Sequence, residues 1–379
     1  MRVAFWVGTA ISLLWSPLRS SFPPFRAYTA LGGLLFGTFA QWDSGWFLQI
    51  ADHGYFSKQA TAFFPLYPLV VHGVAEVTRS SVVAGVLVSL AAGGTGVVVL
   101  HRIARPLLGH AGADDSVLLV ALYPIAFVFT AAYSDGLFLV LAAGSFRAAM
   151  QRRALAAGVL GGLACATRPL GLALLAALLV LLWPRSRRDV LGLVPLFLLP
   201  AAVGAYALYL HYHLHDAWAF LHAQEGYPWN RHTHGAGPLS GIWLGAKAGY
   251  QGAAELVRHL PRGGGAPGGF ADHDQWASWN VIQFLLLVAA AWLTWVSWRR
   301  LGAAFGLYSV ATLLIVLTSP ADVVPLVSLP RFLIGDFPLF LALAAICARR
   351  PLLRSVVLYS FAVVGAAAAV GFAHHVWIA

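Results

Sequence analysis

The chain has 379 residues, of which 60% are hydrophobic and 10% charged, whereas ordinary soluble domains are about 45–50% apolar and about 25% charged. So few charges could not cover the surface of a water-soluble protein of this length. The composition therefore excludes a soluble globule and predicts a polytopic membrane protein. The net charge of +10 comes from arginine clusters between apolar segments, the positive-inside pattern of membrane proteins, so no nucleic-acid partner is expected.

The apolar segments predict helices, because a backbone in lipid must satisfy its own hydrogen bonds and no alternating strand pattern is present. The whole chain, residues 1–379, is treated as one all-α integral-membrane domain. About eleven spans are predicted, at approximately residues 3–17, 82–100, 116–133, 136–149, 154–167, 170–184, 191–210, 279–297, 301–318, 333–348 and 355–373. A helix break is expected at residues 167–171, where an arginine at membrane depth is followed by a proline and a glycine.

Short basic clusters fall in alternate connections and predict the orientation of the chain. They are Arg102 and Arg105, Arg152 and Arg153, Arg187 and Arg188, Arg299 and Arg300, and Arg349 and Arg350. The positive-inside rule places this side in the cytoplasm. The two long connections, residues 18–81 and 211–278, then lie on the non-cytoplasmic face. The excess of arginine over lysine favours a bacterial plasma membrane, with the lumenal face of the ER membrane as the eukaryotic alternative.

The first long connection contains the stretch QWDSGWFLQIADHGY, residues 41–55. Its aromatic side chains, Trp42, Trp46 and Tyr55, are typical of a membrane interface. Asp43 could deprotonate a hydroxyl group while a lipid-borne donor stays in the bilayer. The alternative is that Asp43 caps a short helix over residues 47–52. Asp43 with Asp52 could in principle hold a cation, although no metal or cofactor is expected.

Two arginines at membrane depth, Arg168 and Arg331, could bind phosphate oxygens bidentately. The alternatives are an ion pair of Arg168 with Asp135 and a snorkelling position for Arg331 at the interface. The second long connection is rich in histidine, which indicates either a metal site or, more simply, a saccharide-facing loop. Its histidines are His211, His213, His215, His222, His232 and His234.

Five motifs, spread over residues 42–340, resemble in their order the PIG-V family of membrane mannosyltransferases, which belongs to the GT-C superfamily. They are WDSGWFLQIADHGY (42–55), FFPLYPL (63–69), YSDGLF (133–138), ATRPLG (166–171) and SLPRFLIGDFPLF (328–340). The resemblance implies a GT-C fold. It also implies transfer of mannose, with inversion, from a polyprenyl or dolichyl phosphate mannose to a hydroxyl of a glycolipid or glycan on the non-cytoplasmic face.

The resemblance further implies that Asp43 is the general base and that Arg331 and Arg168 match the family's two arginines, here expected on the donor phosphate. Asp135 stands where the family more often has glutamate, which keeps the carboxylate but shortens it. Residues expected to support the site or bind substrate are Trp42, Trp46, Asp52, His53, Tyr55, Tyr67, Tyr133 and Asp135.

Two other functions stay open from the sequence. A transporter or flippase of a lipid-linked sugar would use the same polar cavity, but it should have pseudo-symmetric halves with matching broken helices, and no internal repeat is visible. A GT-C enzyme with a different polyprenyl phosphate sugar, or with a protein acceptor, would share every feature above.

Overall fold

The structure is a computed structural model, and it describes residues 36–184, 187–226, 228–259 and 272–374 together with Thr9 and Ile11. The predicted span at residues 3–17 lies outside this part of the chain except for those two residues. The described residues are helical or irregular, and the single β-bridge among them, between Arg231 and Ala321, belongs to no strand. The predicted all-α class is therefore confirmed.

The helices are numbered here in chain order through the described residues. They are α1 (Asp43–His53), α2 (Leu66–Thr78), α3 (Ser81–Leu122), α4 (Asp135–Met150), α5 (Ala154–Thr167), α6 (Leu174–Leu181), α7 (Leu198–Leu214), α8 (Ala219–Glu225), α9 (Pro238–His259), α10 (Asp272–Leu301), α11 (Ala303–Leu317), α12 (Leu329–Ile334), α13 (Phe337–Cys347) and α14 (Pro351–Ala373). Short 3-10 segments occupy Gly37–Phe39, Gln59–Ala62, Ala126–Phe129, Pro169–Ala173 and Arg187–Phe197.

Four helices in the described ranges are long and apolar enough to cross a membrane: Ser81–Leu122, Val190–Leu214, Trp276–Leu301 and Pro351–Ala373. Shorter apolar helices, of which Ala154–Thr167 and Phe337–Cys347 are examples, lie between them. A chain with these helices is an integral membrane protein. The predicted count of about eleven spans and the predicted orientation stay predictions.

The span predicted at residues 116–133 is wrong in its second half. Helix α3 ends at Leu122, because Tyr123 precedes a proline and is extended, with ψ 135°. The following backbone, as far as Ser134, contains no α-helix and only the short 3-10 segment Ala126–Phe129, yet Tyr133 is only 3% exposed. Non-helical backbone is tolerated at membrane depth when protein surrounds it. This buried irregular segment delivers Tyr133 and Asp135 to the interior.

The predicted break near residue 168 is confirmed. Helix α5 ends at Thr167, and Arg168 is extended, with φ −156° and ψ 140°. Pro169 then opens a 3-10 segment before α6 begins at Leu174. Because its backbone leaves the helix here, Arg168 points its side chain across the bundle instead of along the helix surface.

The start of α4 lies directly against α3. A Cβ atom on Gly136 would stand 2.8 Å from the carbonyl oxygen of Ser89 and 2.9 Å from the backbone nitrogen of Gly93. Small residues allow helix backbones to approach this closely in membranes. The contact fixes the position of Asp135, the first residue of α4.

The described parts of both long connections contain helices. The first contains α1 and α2, and the buried Phe47 of α1 packs edge-on against Phe63 and Tyr67, with ring centroids 4.9 Å apart in each case. The second contains α8 and the long helix α9, for which the sequence predicted no helix. Glycines on one face of α9 pack against α10, and a Cβ on Gly249 would meet Phe284 at 2.8 Å.

Candidate active site

Four charged side chains from four separate segments meet inside the bundle. Arg331, on α12, donates through Nη1 to Oδ2 of Asp43, on α1. The same guanidinium donates through Nε to Oδ2 of Asp135 at 3.1 Å. Arg168 donates through Nη2 to that Asp135 oxygen at 2.5 Å. We call Asp43, Arg331, Asp135 and Arg168 the charge network; it has two positive and two negative groups and is neutral overall.

The two carboxylates differ in accessibility. The side chain of Asp43 is 24% exposed, whereas that of Asp135 is 1% exposed. Oδ1 of Asp43 accepts no hydrogen bond from the described residues, since the bond from Arg331 goes to Oδ2. Asp43 is therefore the carboxylate of the network that is open to solvent, and the buried Asp135 is bonded to both arginines.

Asp43 does not act as a helix cap. It is the first residue of α1, Trp42 stands at the cap position, and no side-chain cap bond is made there. Trp42 has φ 55° and ψ −125°, a conformation that costs an L-residue on the order of 1–3 kcal/mol and that occurs preferentially at functional sites. This strained residue directly precedes the exposed carboxylate.

Tyr133 connects the network to the bundle. Its ring lies 4.4 Å from the guanidinium carbon of Arg331, and its hydroxyl accepts from the backbone N–H of Asp43 at 3.3 Å. The Ser89 hydroxyl donates to its carbonyl at 3.0 Å. The buried Tyr67 hydroxyl lies 2.8 Å from that of Ser89. Tyr133 thus touches the network directly, and Tyr67 supports it from behind.

The alternatives for the two arginines have different outcomes. The snorkelling position for Arg331 is wrong, since the residue is only 8% exposed and pairs with two carboxylates. The ion pair of Arg168 with Asp135 is present, and Arg168 also donates through Nε to the Ser134 hydroxyl at 2.9 Å.

Aromatic rings surround the approach to Asp43. Trp46, one helical turn after Asp43, stacks on Phe56 at 5.7 Å and on Phe63 at 5.9 Å between centroids. Trp229, from the second long connection, lies 5.8 Å from Trp46 in a tilted arrangement. The two long connections therefore meet next to the network, and their tryptophans form one wall of the site.

Asp52 and His53 lie at the opposite end of α1. The nine-position separation of Asp43 and Asp52 corresponds to about 13.5 Å along a helix axis. Asp52 is exposed and accepts from the Ser81 hydroxyl at 2.9 Å, and His53 is exposed. The structure does not bring either residue to the charge network, and Asp43 and Asp52 do not form a common cation site.

A largely apolar cavity of about 610 Å³ opens beside this far end of α1. It lies between α1, α2, the end of α5 and α7. Tyr55 lines it, with its hydroxyl bonded to the carbonyl of Phe63 at 2.8 Å. Apolar lining residues are Ile50, Ala51, Pro65, Pro68, Leu69, Ala166, Ala202 and Ala205. Ala166 is the lining residue closest in sequence to Arg168, and none of the four network residues lines the cavity.

The histidines of the second long connection do not converge. His222 pairs with Asp216 at 2.9 Å and His232 with Asp322 at 3.5 Å, both near the surface. Across the described ranges, no three or more side chains of the metal-binding types are grouped so that they could hold an ion. The saccharide-facing interpretation of this connection stays a prediction.

Arg231 is a site residue that the sequence analysis missed. It is 8% exposed, donates through Nη2 to the carbonyl of Val327 at 2.7 Å and lies 5.3 Å above the ring of Phe332. Burial lowers the pKa of its guanidinium to about 10, and the nearby charges of Asp43 and Arg331 act on it in opposite directions. Arg231 is therefore charged at neutral pH. No local sequence pattern identifies Arg231. A buried arginine and an exposed loop arginine look alike in sequence, and only tertiary packing buries this one.

A family model for mannosyltransferases of the PIG-V type matches residues 3–194, slightly more than half of the 379-residue chain. The match includes Asp43, Asp135 and Arg168, whereas Arg231 and Arg331 lie beyond it. No curated protein and no solved structure matched the chain. The matched region, the apolar helices and the motif order agree with one another. The chain therefore belongs to the PIG-V mannosyltransferase family and is a membrane glycosyltransferase.

Proposed function

We propose that the protein transfers mannose from a polyprenyl phosphate mannose to a hydroxyl of a glycolipid or glycan, with inversion, on the non-cytoplasmic face and by a GT-C type mechanism. The observation that carries this proposal is the environment of Asp43. It is a partly exposed carboxylate within a membrane protein, held at Oδ2 by a buried arginine, and its Oδ1 accepts no hydrogen bond from the described residues.

In this reaction Oδ1 of Asp43 takes the proton of the acceptor hydroxyl as its oxygen attacks C1 of mannose. The bond between C1 and the phosphate oxygen breaks, and its electron pair leaves with polyprenyl phosphate. The donor is a phosphodiester with one negative charge, and the leaving group gains a second. A base and a nearby cation therefore suffice, and no strong general acid is needed.

Arg331 is placed to contact both the base Asp43 and the donor phosphate. Its Nη1 and Nε groups are engaged by Asp43 and Asp135, and its Nη2 donates no hydrogen bond within the described residues. That group would contact the donor phosphate while Nη1 keeps the base oriented. Arg168, with Nε and Nη2 engaged by Ser134 and Asp135, has Nη1 left for the same purpose.

The cavity beside α1 supports a lipid-borne donor. Its lining is mainly alanine, proline and aliphatic side chains, with Tyr55 and Tyr206 among its aromatic members. An isoprenoid chain is apolar and would gain about 25 cal/mol for each Å² that it buries. The chain would lie in the cavity, the phosphate at the arginines, and the mannose against Trp46 and Trp229.

The test compares wild type with Asp43→Asn in proteoliposomes containing polyprenyl phosphate mannose and a mixed acceptor extract. We expect mannose transfer to fall by about 10²–10⁴-fold, the usual contribution of a general base. Asp114→Asn, at an exposed carboxylate of α3 that pairs with His101 and lines neither the cavity nor the network, serves as the control and should remain active. EDTA should leave wild-type transfer unchanged if the reaction needs no metal.

Each other outcome has a definite meaning. Transfer that survives Asp43→Asn would exclude Asp43 as the base. An Asp43→Asn protein that binds donor, folds normally and does not transfer supports the proposal. Absence of transfer by wild type would overturn the proposed donor and favour a different polyprenyl phosphate sugar.

A further inference from the structure

We propose that Arg231 is a third arginine of the donor site and that it binds the phosphate of the lipid-linked sugar. This inference rests on the proposed function, because it concerns the same donor. Arg231 lies outside the residues matched by the family model.

The first support is a charge count. The charge network is neutral, with Arg331 and Arg168 each bonded to at least one carboxylate. Arg231 makes no ion pair within the described part of the chain and donates only through Nη2, to the neutral carbonyl of Val327. A buried cation without an anionic partner is costly. The site therefore carries one uncompensated positive charge, which an anionic ligand would neutralise.

The second support is position. The backbone of Arg231 is held on both sides, by a hydrogen bond from its N–H to the carbonyl of Gln224 at 2.8 Å and by the bridge to Ala321. Trp229, two residues earlier, packs against Trp46. Phe332, under the Arg231 guanidinium, directly follows Arg331. Arg231 is thus fixed over the α12 segment that carries Arg331, on the side of the site formed by the two tryptophans.

The third support is local backbone geometry. Asn230 has φ 44° and Ser328 has φ 64°, so strained residues precede Arg231 directly and Arg331 by three positions. With Trp42 before Asp43, three of the six non-glycine residues with positive φ in the described ranges adjoin site residues. Such strain persists only where the surrounding structure imposes it.

Phosphate is the anion that this arrangement suits. A guanidinium offers planar paired donors that match phosphate oxygens, and Nε and Nη1 of Arg231 donate to no described residue. The phosphate charge changes from one negative unit in the donor to two in the leaving group. A cation that is already fixed in place stabilises the phosphate more strongly as this second negative charge develops in the transition state. Arg231 would therefore stabilise the departing phosphate in addition to binding the donor.

The experiment measures binding of radiolabelled polyprenyl phosphate and of uncharged polyprenol of the same length to the purified full-length protein. The variants are Arg231→Gln, which keeps a donor for the Val327 carbonyl, and Arg231→Lys, which keeps the charge but loses the planar fork. Arg258→Gln removes an exposed arginine of α9 in the same connection and is the matched control. Thermal unfolding of each variant is recorded in parallel.

We expect wild type to prefer polyprenyl phosphate over polyprenol by about 100-fold or more, since Arg231 would act beside Arg331 and Arg168 and each charge-assisted contact is worth about tenfold or more. Arg231→Gln should reduce this preference by about tenfold, Arg231→Lys should reduce it less, and Arg258→Gln should retain all of it. Polyprenol binding should be the same in every variant, since the alcohol carries no phosphate.

An undiminished preference in a folded Arg231→Gln protein would overturn the inference and leave the proposed function intact. If Arg231→Gln does not fold, Arg231→Lys decides, and full retention of the preference there would count against a guanidinium contact. Absence of any preference in wild type would overturn the proposed lipid phosphate donor itself, together with this role for Arg231.

Discussion

Arg331 donates a hydrogen bond through Nε to Asp135 at 3.1 Å, although 196 residues separate the two in the sequence. The pair connects α12, near the end of the chain, to the first residue of α4. Because Arg331 also holds Asp43, the orientation of the accessible carboxylate depends on the sealed one. Asp135 is therefore a positioning residue whose effect reaches the substrate through Arg331.

Removal of the Asp135 charge should impair both stability and transfer. Asp135→Asn leaves the buried Arg168 and Arg331 with Asp43 as their only remaining network carboxylate, and breaking a buried pair costs about 3–5 kcal/mol. We expect a marked fall in unfolding temperature and at least about tenfold slower transfer. Thermal unfolding and initial transfer rates measure the two effects.

The double variant Asp135→Asn with Arg168→Met separates these effects. It removes the unpaired cation, so most of the lost stability should return. Transfer should stay low, because Arg331 still lacks its second carboxylate and because Arg168, a proposed contact of the donor phosphate, is also removed. A double variant that is as unstable as the single one would show that Arg168 and Asp135 are not coupled.

Arg331→Lys tests the need for a planar fork. A lysine ammonium cannot hold two carboxylates with the fixed spacing of a guanidinium. We expect kcat to fall by about 10²–10³-fold, comparable to the loss of one preorganised donor. Arg300→Lys is the control, since Arg300 is exposed and, among the described residues, donates to the carbonyl of Ala345 alone. Equal kcat values for the two variants would argue against a fork-dependent role for Arg331.

The close approach of α4 to α3 should be sensitive to one methyl group. Gly136→Ala places a Cβ 2.8 Å from the Ser89 carbonyl oxygen, and overpacking of this kind costs about 1–3 kcal/mol. The shift would move Asp135, so transfer should decrease along with the unfolding temperature.

Gly94→Ala is the matched control for that substitution. A Cβ at Gly94, within α3, meets nothing within 4 Å. Alanine should therefore stabilise the helix by about 0.5–1 kcal/mol without affecting transfer. Similar losses in both variants would mean that the α3 and α4 contact has no special role.

Filling the apolar cavity should affect the lipid part of the donor. Ala205→Trp projects a large ring into the cavity from α7, and Ala201→Trp places the same ring on an exposed position of α7 that does not line it. We expect the KM for a long-chain donor to rise by about tenfold in Ala205→Trp only, since each buried methylene contributes about 0.8 kcal/mol.

A donor with two isoprene units provides the contrast. It reaches less far into the cavity, so its KM should change much less in Ala205→Trp. Equal changes for long and short donors would place the isoprenoid chain elsewhere on the protein.

The sequence by itself determined the class of the protein and the composition of its charge network. A low content of charged residues and long apolar segments indicate a membrane protein, because any chain that crosses lipid needs uncharged, apolar side chains there. The break at Arg168 also follows locally, since Pro169 cannot continue a helix. The four network residues stand in separate motifs, and the order of these motifs along the sequence is sufficient to select them as site candidates.

Only the tertiary structure decided which charges pair and which remains unpaired. Ion pairs of Arg331 with Asp43 and Asp135 span 288 and 196 residues, so they depend on how distant helices pack. The same packing separates Asp52 and His53 from the site and buries Arg231. Side-chain burial arises from contacts between distant segments, and local sequence patterns do not predict those contacts.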